Sequence, residues 1–324
     1  MMRILEIVKN CTRIGIAGHE NPDGDCAGSC CGLALFLRKA MPEAQVDIYT
    51  EPLPEALVRN IPGAGTILNE IPPETERYDA FIVLDSMPDR IGFAKQLYED
   101  AALKVNIDHH KTNPGCGDAF YVDGNASSAC ELVYDVIDSE MADIEIAQAL
   151  YVGIVTDTGV FQYSNTREST MRLAGKLMSY GFDFTSVIRE VFFERTYMQG
   201  KMLGLCLARS EQIMDGYCLF CSLDNETITR CGASRQDLDR VSSQMLLTRG
   251  VDCAVFLHET QPGEWRVSLR SGKIVDVART ASLFHGGGHT RAAGCTIRVD
   301  TEAEYAEAVR RLRGDIAAQL EAAL

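Results

Sequence analysis

Five of the six histidines in this sequence fall in three short polar segments, an arrangement that scattered core imidazoles do not produce. The first segment is His19-Glu-Asn-Pro-Asp23-Gly-Asp25. Pro22 and Gly24 force a tight irregular loop there, so three side chains can converge instead of alternating. One imidazole nitrogen with two carboxylates suits manganese, magnesium or a similar divalent ion. The plainer alternative is an Asx-rich turn capping the next helix. The second segment is Asp108-His109-His110, three consecutive ionisable residues that need partners once buried. Asp85, closing the run AFIVLD, and Asp157, in GIVTDTG, are each as easily loop caps as ligands when taken alone. Taken together, two imidazoles and four carboxylates exceed what one catalytic ion needs. Shared between two ions, with one bridging carboxylate, the inventory works. Two ions about 3.5–4 Å apart clamp the attacking and leaving oxygens of an in-line phosphoryl displacement. Phosphoester hydrolysis is the chemistry this implies. No G-x-S-x-G elbow, Walker A lysine or strand-borne G-x-G-x-x-G competes with it.

The elements around these residues predict how they meet. RIGIAG (13–18), QVDIYT (45–50), AFIVLDS (80–86) and LKVNID (103–108) read as strands, alternating with helical patterns at 26–40, 128–139, 144–156 and 168–180. That alternation predicts a parallel α/β sheet. Ligands of such sheets gather outside the carboxyl ends of the strands. His19, Asp85 and the segment 108–110 all fall at those ends. A continuous helical stretch is expected over 184–213, as a connector. Beyond it YCLFCSL, CAVFLHE and WRVSLRS read as strands, and 234–247, 274–284 and 302–322 as helices, of a smaller mixed-sheet α+β unit. The expected organisation is therefore a metal-binding domain over 1–185, a helical linker over 186–213 and a substrate-binding domain over 214–324, with the active site in the cleft between. Cys218-Leu-Phe-Cys221 matches C-x-x-C but lies in an apolar strand, so core packing is its expected role.

The chain has 324 residues, and 46% hydrophobic with 24% charged residues is an ordinary globular balance. Net charge is −15, from 31 basic and 46 acidic residues, which removes the global basic footprint of a long-duplex binder. The start, MMRILEIVKNCTRIGIAGHE, lacks a secretory layout, and no run of 18 apolar residues occurs. A cytoplasmic location with reduced thiols is expected for the 12 cysteines.

The smaller unit carries its own polar cluster: Arg270-Ser271 after WRVSL, and Gly286-Gly287-Gly288-His289 after a helix. Consecutive glycines let backbone N–H groups approach an anion, while Arg and His add charge.

The segments GHENPDGDCAGS (18–29), VLDS (83–86), NIDHHKTN (106–113), ASSACELVYDVI (126–137), GIVTDTGVFQYSNT (153–166) and LRSGKIVDVARTASLFHGGGHTRAAG (269–294) stand in this order. The set resembles the DHH phosphoesterase superfamily, in the branch with a DHH-associated C-terminal domain and its GGGH motif. It is most similar to the nanoRNase/pAp phosphatase group. The resemblance implies a manganese-dependent hydrolase of short oligoribonucleotides, of 3′-phosphoadenosine 5′-phosphate, or of both. By motif, His19 and Asp23 would bind one ion and Asp25, His109 and Asp157 the other, with Asp85 bridging. His110 would contact the phosphate near the scissile group and Asp108 would orient it. Arg270, Ser271, Gly286, Gly287, Gly288 and His289 would hold the rest of the nucleotide. Two divalent ions are the implied cofactors, and short oligoribonucleotides or small nucleotides the implied partners. Long duplexes and membranes are not expected as partners, and a homodimer is left open. Stand-alone cyclic di-AMP or pApA phosphodiesterases share this architecture and are the alternative; a non-catalytic nucleotide-binding regulator is a more remote one. Relatives usually have glycine at His285 and often arginine at Gln162, departures that bear on the preferred substrate.

Overall fold

The protein, seen in a computed structural model, is described over residues 2–323. Its first sheet contains β1 (Arg13–Ala17), β2 (Gln45–Tyr49), β3 (Ile67–Leu68), β4 (Ala80–Leu84), β5 (Leu103–Asp108) and β6 (Ala119–Val122). They lie in the order β3-β2-β1-β4-β5-β6, with every pairing parallel. Both faces of this sheet are covered, and period-two alternation sends successive apolar side chains into one layer or the other. Ile14, Ile16, Ala80, Ile82 and Leu84 pack on one side into a core shared with the helices Gly24–Ala40, Ala129–Val136 and Ile144–Asp157. Ala17, Phe81 and Val83 point the other way, into a second layer with Tyr49, Tyr78 and Tyr98. The strand order reverses between β1 and β4, which are neighbours, so the crevice of a doubly wound sheet opens at their carboxyl ends.

The chain folds as two compact units, 1–194 and 195–324. The stretch 184–213 is not one helix. It consists of the helix Phe184–Ile188, a π-helical turn Arg189–Phe193, an extended Glu194 and a new helix Tyr197–Arg209. A capping box between Thr196 and Gln199 starts that last helix, supplying its first N–H groups with acceptors and fixing the break. Val187 and Val191 belong to the core of the first unit, whereas Met202 and Cys206 belong to the second. The linker expected over 186–213 is thus shared out between the units.

The second unit is built on β7 (Glu211–Ile213), β8 (Cys218–Leu223), β9 (Cys253–Gln261), β10 (Glu264–Ser271), β11 (Gly287–His289) and β12 (Ala292–Arg298). Their order is β11-β12-β10-β9-β8-β7; β8 and β9 are parallel and the other pairs antiparallel. The helix Glu302–Glu321 covers one face through Ala308, Leu312, Ile316 and Leu320, a stripe at helical spacing. Cys218 and Cys221 are buried on opposite faces of β8 and cannot act as a chelating pair from there. Among the described residues no helix is long and apolar enough to cross a membrane.

Candidate metal centre

His19 follows β1 and Asp85 follows β4, so the two meet at the strand-order reversal. His19 Nδ1 donates to the Glu20 carbonyl at 2.8 Å, which turns Nε2 towards the carboxylates. Nε2 lies 3.4 Å from Asp85 Oδ2 and 3.8 Å from Asp23 Oδ1. Asp23 also does what the plainer alternative required. Its Oδ1 accepts the N–H groups of Asp25 and Cys26 and caps the helix Gly24–Ala40. Capping fixes the carboxylate beside His19, so the two roles are compatible.

Asp25, buried in the first turn of that helix, faces a second group. His109 Nε2 lies 3.7 Å from Asp25 Oδ2, 3.9 Å from Asp157 Oδ2 and 3.3 Å from Asp85 Oδ1. Three groups of side chains here could hold a metal ion: His19–Asp23–Asp85, Asp25–His109–Asp157 and Asp85–His109–His110. Asp85 therefore stands between the His19–Asp23 pair and the Asp25–His109–Asp157 cluster. Its backbone is left-handed, at φ +55°, a strained conformation for a non-glycine residue that turns the side chain off the strand end. Asp85 Oδ1 is buried with no hydrogen-bond donor. A buried carboxylate oxygen in that state is costly unless a cation meets it.

The electrostatics agree with a demand for positive charge. Burial opposes the charged form of His19, but the nearby Asp23 and Asp85 carboxylates prevail and push the imidazole up to about 12. His109 is pushed up to about 10: burial works against it, and Asp85 and Asp25 outweigh burial. Burial, then the nearby Asp85 charge, drives Asp25 well above the usual carboxylate range. Burial likewise lifts Asp157 to about 6, with His109 opposing and Asp85 reinforcing the rise. The raised Asp25 and Asp157 carboxyls and the raised His19 and His109 imidazoles describe a crowd of acidic groups short of cations. Burial would raise Asp23 too, but the nearby His19 keeps it below the usual carboxylate range. Hard carboxylate oxygens with two imidazoles fit divalent manganese or a similar ion.

His110 is set differently. Its ring Nδ1 and backbone N–H both bond Asp108 Oδ1, at 2.7 and 3.1 Å, and Asp108 raises the imidazole pKa. Nδ1 is 3.7 Å from Asp85 Oδ1, and the ring is only half-buried. Asn113 donates to the other oxygen of Asp108 at 2.6 Å and to Asn106 Oδ1 at 2.9 Å. Asn106 in turn donates to the Val83 and Ser86 carbonyls, tying the group to the end of β4.

In the second unit a cavity of about 1300 Å³ is lined by Arg266, Arg270, Arg298, Arg311, His285 and Gly286–Gly288. Ser271 does not line it. The residue is buried, and its hydroxyl donates to the Val275 carbonyl at 2.6 Å. His289 is exposed at the end of β11, paired with Ala292, and also lies outside the lining. A Cβ on Gly286 would sit 2.3 Å from the Gly294 carbonyl oxygen, so this glycine is needed for strand approach whatever else it binds. His285 has φ +56° and follows the helix Val277–Ser282, where a left-handed residue ends the turn, a conformation that glycine adopts without strain.

Sequence reasoning misses Asn165, which donates to Asp157, Asn113, which donates to Asp108, and Glu131, which accepts from Ser127 and Thr170. It also misses the helix packing that brings Asp25 to Asp157. A Cβ on Gly28 would lie 2.6 Å from the Ala149 oxygen, and one on Gly153 would lie 2.2 Å from Cys130 Sγ and 2.9 Å from Asp25 Oδ1. The spacing Gly24-x-x-x-Gly28-x-x-x-Gly32 is the signal in the sequence for that close crossing.

Comparison with known proteins places these motifs. The DHH family, N-terminal domain, matches residues 13–154, and the DHHA1 domain matches residues 224–318. The chain is 28% identical to the bifunctional oligoribonuclease and PAP phosphatase NrnA of Bacillus subtilis, covering 88% of this chain and 90% of that protein. To the protein of the same name in Thermus thermophilus it is 29% identical, covering 94% and 90%. An exopolyphosphatase-related protein from Bacteroides fragilis shares the fold, with a TM-score of 0.82 at 24% identity, over 96% of this chain and 94% of that one. With both domains matched in order and Asp108-His109-His110 at the carboxyl edge of β5, the chain belongs to the DHH phosphoesterase superfamily, in its nanoRNase-like group with a DHHA1 domain.

Proposed function

We propose that this protein is a manganese-dependent phosphoesterase that hydrolyses short oligoribonucleotides and 3′-phosphoadenosine 5′-phosphate, the substrates named for its relatives from Bacillus and Thermus. The observation that carries the reading is Asp85, whose two oxygens lie 3.4 and 3.3 Å from His19 and His109 and whose Oδ1 has no donor. One ion would be held by His19, Asp23 and Asp85, a second by Asp25, His109, Asp157 and the same Asp85. When bound, such a pair supplies Lewis acidity and a nucleophile at neutral pH.

The residues of the chain do the rest. His110, whose imidazole pKa is raised by Asp108, donates a hydrogen bond to a phosphoryl oxygen and strengthens it as charge grows there. Asp108 orients the ring, and Asn113 holds Asp108. Arg270 and the Gly286–Gly288 backbone bind the remainder of the nucleotide. The net charge of −15 disfavours an extended polyanion, so short substrates are preferred. Purified protein with manganese, tested on 3′-phosphoadenosine 5′-phosphate, pApA, a trinucleotide and a strand of about 24 nucleotides, decides the matter. Equal turnover of the trinucleotide and the long strand, at matched molar ends, would exclude the reading.

A further inference from the structure

Glu131 is a buried carboxylate that takes no part in the chemistry described above. It stands at the third position of the helix Ala129–Val136, whose N-cap is Ser128. A glutamate there ordinarily reaches back to the N–H of the cap residue. Glu131 reaches one residue further. Its Oε2 accepts the Ser127 N–H at 2.9 Å, the Ser127 hydroxyl at 2.7 Å and the Thr170 hydroxyl at 3.2 Å. All three donors are neutral, so the carboxylate has been placed where its strength as an acceptor, not an ion pair, holds the chain.

The segment it clasps reaches both carboxylates of one cluster, Asp25 directly and Asp157 through Asn165. The Ser127 carbonyl accepts from Asn165 Nδ2 at 2.9 Å, and the same nitrogen donates to Asp157 Oδ2 at 3.1 Å. Two residues on, the Ala129 and Cys130 N–H groups donate to Asp25, at 2.6 Å to Oδ2 and 3.0 Å to Oδ1. These are the unpaired donors of a helix N-terminus, which favour a negative charge. Asp25 and Asp157 come from different helices and lie 3.7 and 3.9 Å from His109. Residues 127–131 hold Asp25 directly and, through Asn165, Asp157.

We propose that Glu131 is a positioning residue for the Asp25–His109–Asp157 half of the metal centre and not for the His19–Asp23 half. This rests on the two-ion reading above. Glu131→Ala leaves the buried Ser127 donors without an acceptor, so the segment shifts and both Asp25 and Asp157 lose their fixed direction. Glu131→Gln keeps a carbonyl oxygen for Ser127 and restores most of the support.

Manganese titration of the full chain by calorimetry reads the two halves separately. Residues acting through metal ligands typically change affinity about 10–100-fold. Glu131→Ala is expected to weaken one of the two manganese sites by about that factor and leave the other within threefold. Its kcat should fall while KM for a trinucleotide changes little, and Glu131→Gln should recover at least half of the lost affinity on a logarithmic scale. Ser127→Ala, which keeps the backbone donor, provides a milder variant should Glu131→Ala fold poorly; it should weaken the same single site about three- to tenfold. Two sites weakened equally, or a lowered melting temperature with both affinities intact, would show that Glu131 supports only the fold. Wild-type protein that takes up no manganese would overturn the two-ion reading and this inference with it. Wild-type protein with two sites, both unchanged in the variants, would overturn the inference alone.

Discussion

Asn113 donates to Asp108 Oδ2 at 2.6 Å, while the other oxygen of the same carboxylate holds His110. The pair makes a relay of orientation: Asn113 fixes the carboxylate plane, and the carboxylate holds the Nδ1–H of His110 and so aims the ring, with the Nε2 side left free for a ligand.

Asn113→Ala should therefore act on the chemical step. Both partners of Asn113 are buried, and Asp108 would turn to find another donor. We expect kcat to fall about 10–100-fold with KM nearly unchanged and manganese stoichiometry preserved. Steady-state kinetics on a trinucleotide checks this. A variant with wild-type kcat would show that Asp108 needs no such hold.

Asp85→Ala should abolish turnover, because both clusters share this one carboxylate. Loss of a supporting residue typically costs about 10–100-fold, and loss of a shared ligand should exceed that. The variant should also bind at most one manganese ion tightly in calorimetry. Half of the wild-type rate at saturating manganese would rule out the bridging role.

Much of this centre is legible in the sequence because its ligands interrupt apolar runs. Asp85 closes AFIVLD and Asp108 closes LKVNID, and a charge at the end of a buried strand is conspicuous. The supporting residues are not conspicuous. Asn113, Asn165 and Glu131 sit singly in loops or helix starts, where no periodicity marks them. Only the fold reveals that the two asparagines meet Asp108 and Asp157 and that Glu131 meets Ser127 and Thr170. β6 escapes a sequence reading because four residues carry little alternation, and the connector reads as one helix because hydrophobic periodicity outweighs the Thr196–Gln199 cap. The expected clamp of Arg270 with Ser271 contains a geometric conflict. Neighbours on a strand point to opposite faces, so Arg270 can line the cavity only if Ser271 turns into the core.

His258 lies on β9 opposite Arg266, 7% exposed, with its Nδ1 buried and unbonded. Burial, then the charges of Arg266 and Arg235, hold its pKa down to about 4, against 6.5 for a free imidazole. A depressed pKa means the folded state prefers the neutral ring. That contribution is complete above pH 6.5 and is lost as the pH falls towards 4, by up to about 3 kcal/mol. Urea unfolding at a series of pH values should show the second unit weakening over that interval. His258→Phe, which keeps a ring against Phe256, should flatten the slope. Parallel pH profiles for the two proteins would show that other groups govern acid stability.

The final prediction concerns the division of labour between the two units. Every expected metal ligand lies in residues 1–194, whereas Arg270 and Gly286–Gly288 line a cavity built within 195–324. If the second unit holds substrate and the first performs the displacement, Arg270→Ala should leave manganese binding intact and weaken the productive complex. A charge-assisted hydrogen bond to phosphate contributes roughly 1.5–3 kcal/mol, or about a 10- to 150-fold loss in kcat/KM. The loss should be large for nucleotides that carry a second phosphate and slight for bis-p-nitrophenyl phosphate, which offers no second phosphate for Arg270 to hold. Calorimetric manganese titration beside the two rate assays separates the outcomes. Equal losses on both substrates, or a halved manganese stoichiometry, would place Arg270 in support of the catalytic centre or of the fold.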